Sequence, residues 1–180
     1  MVPKASHQLL IPLLSLFLVS CSKDDPDSHD PALLPSSNYH YTTIADSALA
    51  MSRTVYLPVY SDIYHMSGER RYPLTVTASV RNVSARDSIY VTRVDYYDSE
   101  GRLHREYLKG PIALGPLASV EFVVEHDEKE GGAGANFLID WGARDSIDAP
   151  IIQGVMIGTT SKQGISFVTE GREVDLKKSD

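Results

Sequence analysis

From Thr54 onward the chain alternates in the manner of extended backbone. Val55, Leu57, Val59 and Ile63 share one parity, and Tyr56, Tyr60 and Tyr64 occupy the other. Successive side chains of a strand point to opposite faces, so the aliphatic set is expected to face a core. Leu74, Val76, Ala78 and Val80, interleaved with Thr75, Thr77, Ser79 and Arg81, form the cleanest half-buried strand pattern in the chain. Ile89 and Val91 then give way to Val94 and Tyr96, a change of parity that predicts a bulge near Thr92-Arg93. Asp98-Ser99-Glu100-Gly101 has the composition of a tight turn, with Gly101 able to take positive φ, and the run Leu103 to Leu108 beyond it completes a predicted hairpin. Gly110-Pro111 and Gly115-Pro116 punctuate the chain before Val120, Phe122 and Val124 alternate again. Three more strands are predicted at Asn136 to Trp141, Ile151 to Thr160 and Gly164 to Glu170. A weak helical reading exists only at Ala45 to Met51.

Seven to eight short strands with turns between them predict an all-β fold, a single immunoglobulin-like β-sandwich, with a small β-barrel as the alternative. The Cys-Trp-Cys pattern of antibody domains is missing, so the expectation is of sandwich architecture alone.

The N-terminal part reads differently. Lys4 precedes the uncharged run Leu9 to Val19 (LLIPLLSLFLV), too short for a span that needs about 20 apolar residues but suited to a signal peptide over residues 1–20. Its end, Leu18-Val19-Ser20-Cys21, resembles the lipobox of bacterial lipoproteins, which implies that Cys21 is acylated with diacylglycerol and becomes the first mature residue. Cys21 is the single cysteine, so no disulfide framework competes for it. Several acyl chains on one residue give durable attachment, since each buried methylene contributes about 0.8 kcal/mol. The expected partner is thus a lipid bilayer, reached through acylated Cys21. Ser22 in place of an aspartate implies, in a cell with two membranes, the outer membrane facing the periplasm. Residues 22–38, with Pro26, Pro31 and Pro35, have little that packs and are expected to be a flexible spacer. The predicted organisation is signal peptide 1–20, lipidated cysteine and linker 21–49, and sandwich 50–176.

Loss of residues 1–20 removes Lys4 and moves the formal charge from −7 to −8. An acidic chain without a basic patch is a poor partner for nucleic acid.

The body also resembles a known group. Val55 to His65 (VYLPVYSDIYH), the Val94 to Gly101 hairpin, Gly131 to Gly142 (GGAGANFLIDWG) and Val155 to Phe167 resemble uncharacterised bacterial lipoproteins and secreted proteins grouped as domain of unknown function 3124. The resemblance spans nearly the whole folded part and implies one domain. It brings no activity, cofactor or catalytic residue.

Chemistry-bearing clusters are few. Asp62 and His65 fall on opposite faces of a strand, although a turn there would bring a carboxylate to an imidazole that could act as a base or hold a metal; a solvated strand-end histidine is the plainer reading. Glu125 to Glu130, with His126 and Asp127, precedes Gly131, Gly132 and Gly134; this oxygen-rich stretch lacks the spacing of an EF-hand and is expected to be a solvated, mobile loop. Ser166 lacks the setting of a nucleophile elbow. Asp140 is expected to point outward beside a core Trp141, whose N–H needs a partner. Tyr56, Tyr60 and Tyr64 could form an exposed contact stripe, or be covered by a second sheet or by the N-terminal segment. With 10 tyrosines against 4 phenylalanines, the chain is rich in such amphipathic rings. No cofactor, metal or catalytic residue is assigned. The expected function is a binding or scaffolding module of the cell envelope, with another envelope protein as the expected partner; the alternative is a periplasmic hydrolytic or metal-binding enzyme using Asp62, His65, His126 and Asp140, to be judged by whether those side chains converge.

Overall fold

The computed structural model describes residues 39–128, 130–159 and 164–176, and the readings for residues 1–38, including the signal peptide, Cys21 and the spacer, lie outside them. Twelve strands are described: β1 (Met51–Pro58), β2 (Asp62–His65), β3 (Ser67–Pro73), β4 (Thr75–Arg81), β5 (Ile89–Tyr97), β6 (Leu103–Glu106), β7 (Ile112–Leu114), β8 (Ser119–Val124), β9 (Asn136–Ala143), β10 (Ile151–Gly158), β11 (Ile165–Glu170) and β12 (Arg172–Val174). One sheet runs β12-β1-β9-β5-β6, with β7 also on β5; the other runs β11-β10-β4-β8; β2 and β3 pair as a separate hairpin. All the pairings are antiparallel.

The inner faces of the two sheets share one core. Leu57, Val94, Tyr96, Phe137, Ile139 and Trp141 of the first sheet pack with Val76, Ala78, Phe122, Val124 and Met156 of the second, all essentially inaccessible to water. Each such side chain stabilises the fold by about 1.5–3 kcal/mol relative to exposure. The architecture is an all-β sandwich, neither sheet closing into a barrel.

Alternation predicts these faces well. In β4, Val76, Ala78 and Val80 are buried between Thr75, Thr77 and Arg81; in β8, Val120, Phe122 and Val124 are buried between exposed neighbours. The bulge lies between Val91 and Arg93, and Gly101 has φ 76° in the turn after β5.

The strand count exceeds the expected seven to eight because β2, β3, β7 and β12 are short or polar and carry little periodic signal. The weak helical reading reduces to a single 3-10 turn at Asp46–Ala48. Residues 39–49, read as linker, are docked on the sandwich. Tyr39 packs 5.6 Å from Phe122, Tyr41 bridges Ile112, and Ala113 N–H donates to His40 C=O.

Candidate functional site

The glycine-rich loop after β8 packs closely where mobility was expected. Gly131 and Gly132 are buried, and the Gly132 N–H donates to Ser61 Oγ at 2.6 Å. The Gly131 carbonyl accepts from both the Ser99 N–H and the Ser99 hydroxyl, each at 2.9 Å, and the Gly134 N–H donates back to Ser99 Oγ. A Cβ on Gly131 would collide with the Tyr96 hydroxyl, and Gly132 sits at φ 87°, so glycine is required at both positions. Burial pushes the Tyr96 phenol up to about 12, with the Glu128 charge acting in the same direction; the nearby Ser61 hydroxyl opposes this without forming a well-aligned bond.

Next to this loop, Arg71 on β3 chelates Asp62 on β2 at 2.8 and 2.9 Å, and its guanidinium lies 5.0 Å from the Tyr64 ring centroid. The bond to Asp62 raises the Arg71 pKa. His65 stands beyond a break in register at Tyr64/His65, its ring 6.1 Å from Tyr72, and is exposed. Asp62 is therefore committed to an arginine across the hairpin.

Asp140 lies on the outer face of the first sheet. Arg93 reaches it with Nε at 2.7 Å and Nη2 at 3.1 Å, and the Thr54 hydroxyl donates to it at 2.6 Å. Arg93 is also 3.4 Å from Asp95, which burial holds above the usual carboxylate range despite that cation, with Glu106 and Asp140 adding repulsion. Tyr97, its phenol raised by burial and by Asp95, completes a polar cluster across β1, β9 and β5.

At the open side of the sandwich, Arg105 on β6 pairs with Glu128 beyond β8 at 2.8 Å, while His104 Nε2 lies 3.2 Å from the other carboxylate oxygen. The Tyr107 hydroxyl donates to Val123 C=O at 2.7 Å, and burial raises that phenol strongly. These contacts fasten the edge of one sheet to the edge of the other.

The sequence candidates are thus distributed among separate settings. Asp62 is with Arg71, Asp140 with Arg93 and Thr54, and His126 and Asp127 are in an exposed turn. Ser166 is on an exposed edge strand. Trp141 is in the core as expected, yet its indole N–H meets no acceptor among the described residues. The tyrosine stripe does not form on one strand: β1 ends at Pro58, Tyr60 turns in to meet Phe167 edge-on with ring centroids 5.6 Å apart, and Tyr64 belongs to the separate hairpin. Among the described residues, no three His, Cys, Asp or Glu side chains come together to hold a metal. Among the described residues, an open groove beside β1 and β12 and another between Val83–Asp87 and Ser146–Asp148 include none of Asp62, His65, His126 or Asp140.

One surface escaped the sequence reading. On the outer face of the second sheet, Val168, Val155, Thr77 and Val123 are directly opposite one another across all four strands, and Ile157 adjoins this row. Val168 is 55% exposed, Ile157 46% and Val123 42%. The signal was present in β10, where Ile151, Val155 and Ile157 occupy one parity while Ile152 and Met156 occupy the other, a strand apolar on both faces.

Residues 52–174 match the model of a protein family described as "Protein of unknown function (DUF3124)". The chain belongs to this family. The matched DUF3124 region begins just inside β1 and ends at the last residue of β12, so it takes in every strand of the sandwich. No curated protein matches the chain. The crystal structure of Thermotoga maritima 1070 is similar with a TM-score of 0.37 and 10% identity, over 67% of this chain and 92% of that one.

Proposed function

We propose that this DUF3124 protein is a lipid-anchored module of the bacterial cell envelope that binds or scaffolds another component through the outer face of its second sheet. The observation that carries the reading is the cross-strand row Val168, Val155, Thr77 and Val123 with Ile157 beside it, exposed at Val168, Ile157 and Val123 and half-buried between, with Glu170, Gln153 and Glu121 along one side. An apolar centre with a polar rim is the composition of a contact surface. The separate commitments of Asp62 and Asp140 to arginines favour the module over the hydrolytic alternative, which needs free and convergent acid and base groups. The anchor rests on Leu18-Val19-Ser20-Cys21 and the apolar run before it.

Two measurements test this. Mass spectrometry of the mature N-terminus is expected to find Cys21 acylated, and Cys21→Ala to leave the chain unprocessed; an unmodified Cys21 would refute the anchor. Photo-crosslinkers placed at Val123 and Ile157 in the cell are expected to capture a protein partner that a crosslinker at exposed Arg144 does not. Equal capture from all three positions would remove the face from the proposal.

A further inference from the structure

Sheet edges are open to pairing with another chain unless charge, proline or a covering segment blunts them. In the first sheet, β12 carries Arg172 and Glu173, β6 has His104 and Arg105 drawn to Glu128, and β7 is covered by the segment of His40 and Tyr41. In the second, β8 carries Glu121, and the Val123 carbonyl accepts the Tyr107 hydroxyl. β11 differs. Its sequence Ile165-Ser166-Phe167-Val168-Thr169 contains neither charge nor proline before Glu170, and among the described residues β10 is its one sheet neighbour. Phe167 is held inward against Tyr60, and the Thr169 hydroxyl donates to Pro58 C=O at 2.6 Å, so the strand is fixed from within while its outer edge is open.

We infer that β11 is the seat of a second copy of this chain, the two β11 strands pairing antiparallel about a two-fold axis to join two four-stranded sheets into one of eight. An antiparallel edge is complementary to itself under a two-fold, so no second surface has to be matched. With the axis at Phe167, Ser166 is opposite Val168 of the second copy, Ile165 opposite Thr169, and Gly164 opposite Glu170. No like charges oppose each other in that register, which matters for a chain of net charge −7. The row that runs from Val123 to Val168 then meets Ser166 of the second copy, with Ile157 of that copy next in line. The spacer is a poor competitor for the same edge, because residues 22–38 include Pro26, Pro31 and Pro35 and four aspartates, and proline cannot donate to a ladder. The inference rests on the module reading and makes it specific, since it names one occupant for the end of the exposed face.

Sedimentation equilibrium of the full chain in detergent, over about a hundredfold range of concentration, is the test. The expected result is a monomer–dimer equilibrium. Val168→Lys, at the edge, should raise its Kd at least about tenfold. Arg144→Ala, exposed beside Tyr90 of the first sheet and outside that face, should change it by less than about threefold. A monomer throughout, or a dimer whose Kd is unchanged by Val168→Lys or raised as much by Arg144→Ala, would overturn the pairing. Should Val168→Lys fail to fold, hydrogen exchange of the unmodified chain decides: amides of Ile165 to Glu170 should slow as concentration rises, and unchanged exchange overturns the inference. Protection that disappears on deletion of residues 22–38 would hand the edge to the spacer and also overturn it. A strictly monomeric chain whose Val123 and Ile157 still capture another envelope protein would sink the self-pairing and leave the module reading standing.

Discussion

Gly131 is a residue whose missing side chain matters to the packing. Its carbonyl takes two hydrogen bonds from Ser99, and the space a Cβ would need is occupied by the Tyr96 and Ser61 hydroxyls. Gly131→Ala is expected to cost about 2–3 kcal/mol by overpacking, seen as a fall of several degrees in Tm; an unchanged melt would show that the loop yields freely. Two aspartates close by in sequence should respond to pH with opposite sign. The Asp98 carboxylate is lowered, chiefly by the Arg102 N–H and then by the Arg102 side chain. It therefore adds stability above the unfolded carboxylate pKa of about 4, and that stability is lost as pH falls through the lower folded value. Asp95 is raised by burial, so its ionised form is disfavoured in the fold. Its penalty is absent below about pH 4 and complete above the folded pKa. Thermal melts should then show Asp98→Asn destabilised at pH 7 and Asp95→Asn stabilised there, with both differences shrinking toward pH 3. Asp95→Asn melting lower than the parent at pH 7 would mean that the Arg93 attraction outweighs burial.

Among the elements, β6 is a short edge strand whose fastening draws on residues 16 and 23 positions further along the chain. All four of its residues are exposed, and it is held through Arg105 to Glu128 and the neighbouring Tyr107 to Val123. Glu128→Ala is expected to speed amide exchange in Leu103 to Glu106 while costing only about 1 kcal/mol globally, since Arg105, 41% exposed, can rehydrate. Uniformly faster exchange across β5 and β9 would contradict so local a role. The same dependence on distance explains what the sequence made legible. β4, β8 and β9 were readable because burial on one face writes a period of two into consecutive residues. The bulge at Val91/Arg93 and the Gly101 turn were equally local. Between Val55 and Tyr64 the parity continues unbroken, yet the chain leaves the first sheet after Pro58 and starts a new hairpin at Asp62, so Tyr56, Tyr60 and Tyr64 part company. Asp140 shows the other limit: it was expected to point outward, but its partners Arg93 and Thr54 are 47 and 86 positions away, brought together by strand pairing that no local pattern encodes. The outer row of the second sheet went unread for the same reason, since its members come from four separate strands.

At the scale of the whole molecule, the N-terminal boundary of the sandwich lies ahead of its first strand. Composition places that boundary near residue 50, because no strand pattern precedes Met51. The contacts place it earlier. Tyr39 lies against Phe122 and edge-on to Tyr41 at 6.0 Å, the Thr42 N–H donates to Pro111 C=O, and the Ala50 N–H donates to Ala143 C=O. This segment also covers β7, whose Ala113 N–H would otherwise need water. Tyr39 buries its ring at the margin of the core, and such a ring carries a large apolar area. Two truncations separate the tether from the domain. A soluble chain beginning at Tyr39, which lacks the proline-rich spacer, should keep its Tm within about a degree, because that spacer has little that packs. Beginning instead at Ala50 should lower Tm by roughly 4–8 °C, the equivalent of about 2 kcal/mol for one aromatic side chain and its backbone bonds. It should also speed amide exchange at Ile112 to Leu114, the strand left uncovered. Equal melting of the two chains would return residues 39–49 to the tether, and a large loss already at Tyr39 would mean that the spacer itself docks on the sandwich.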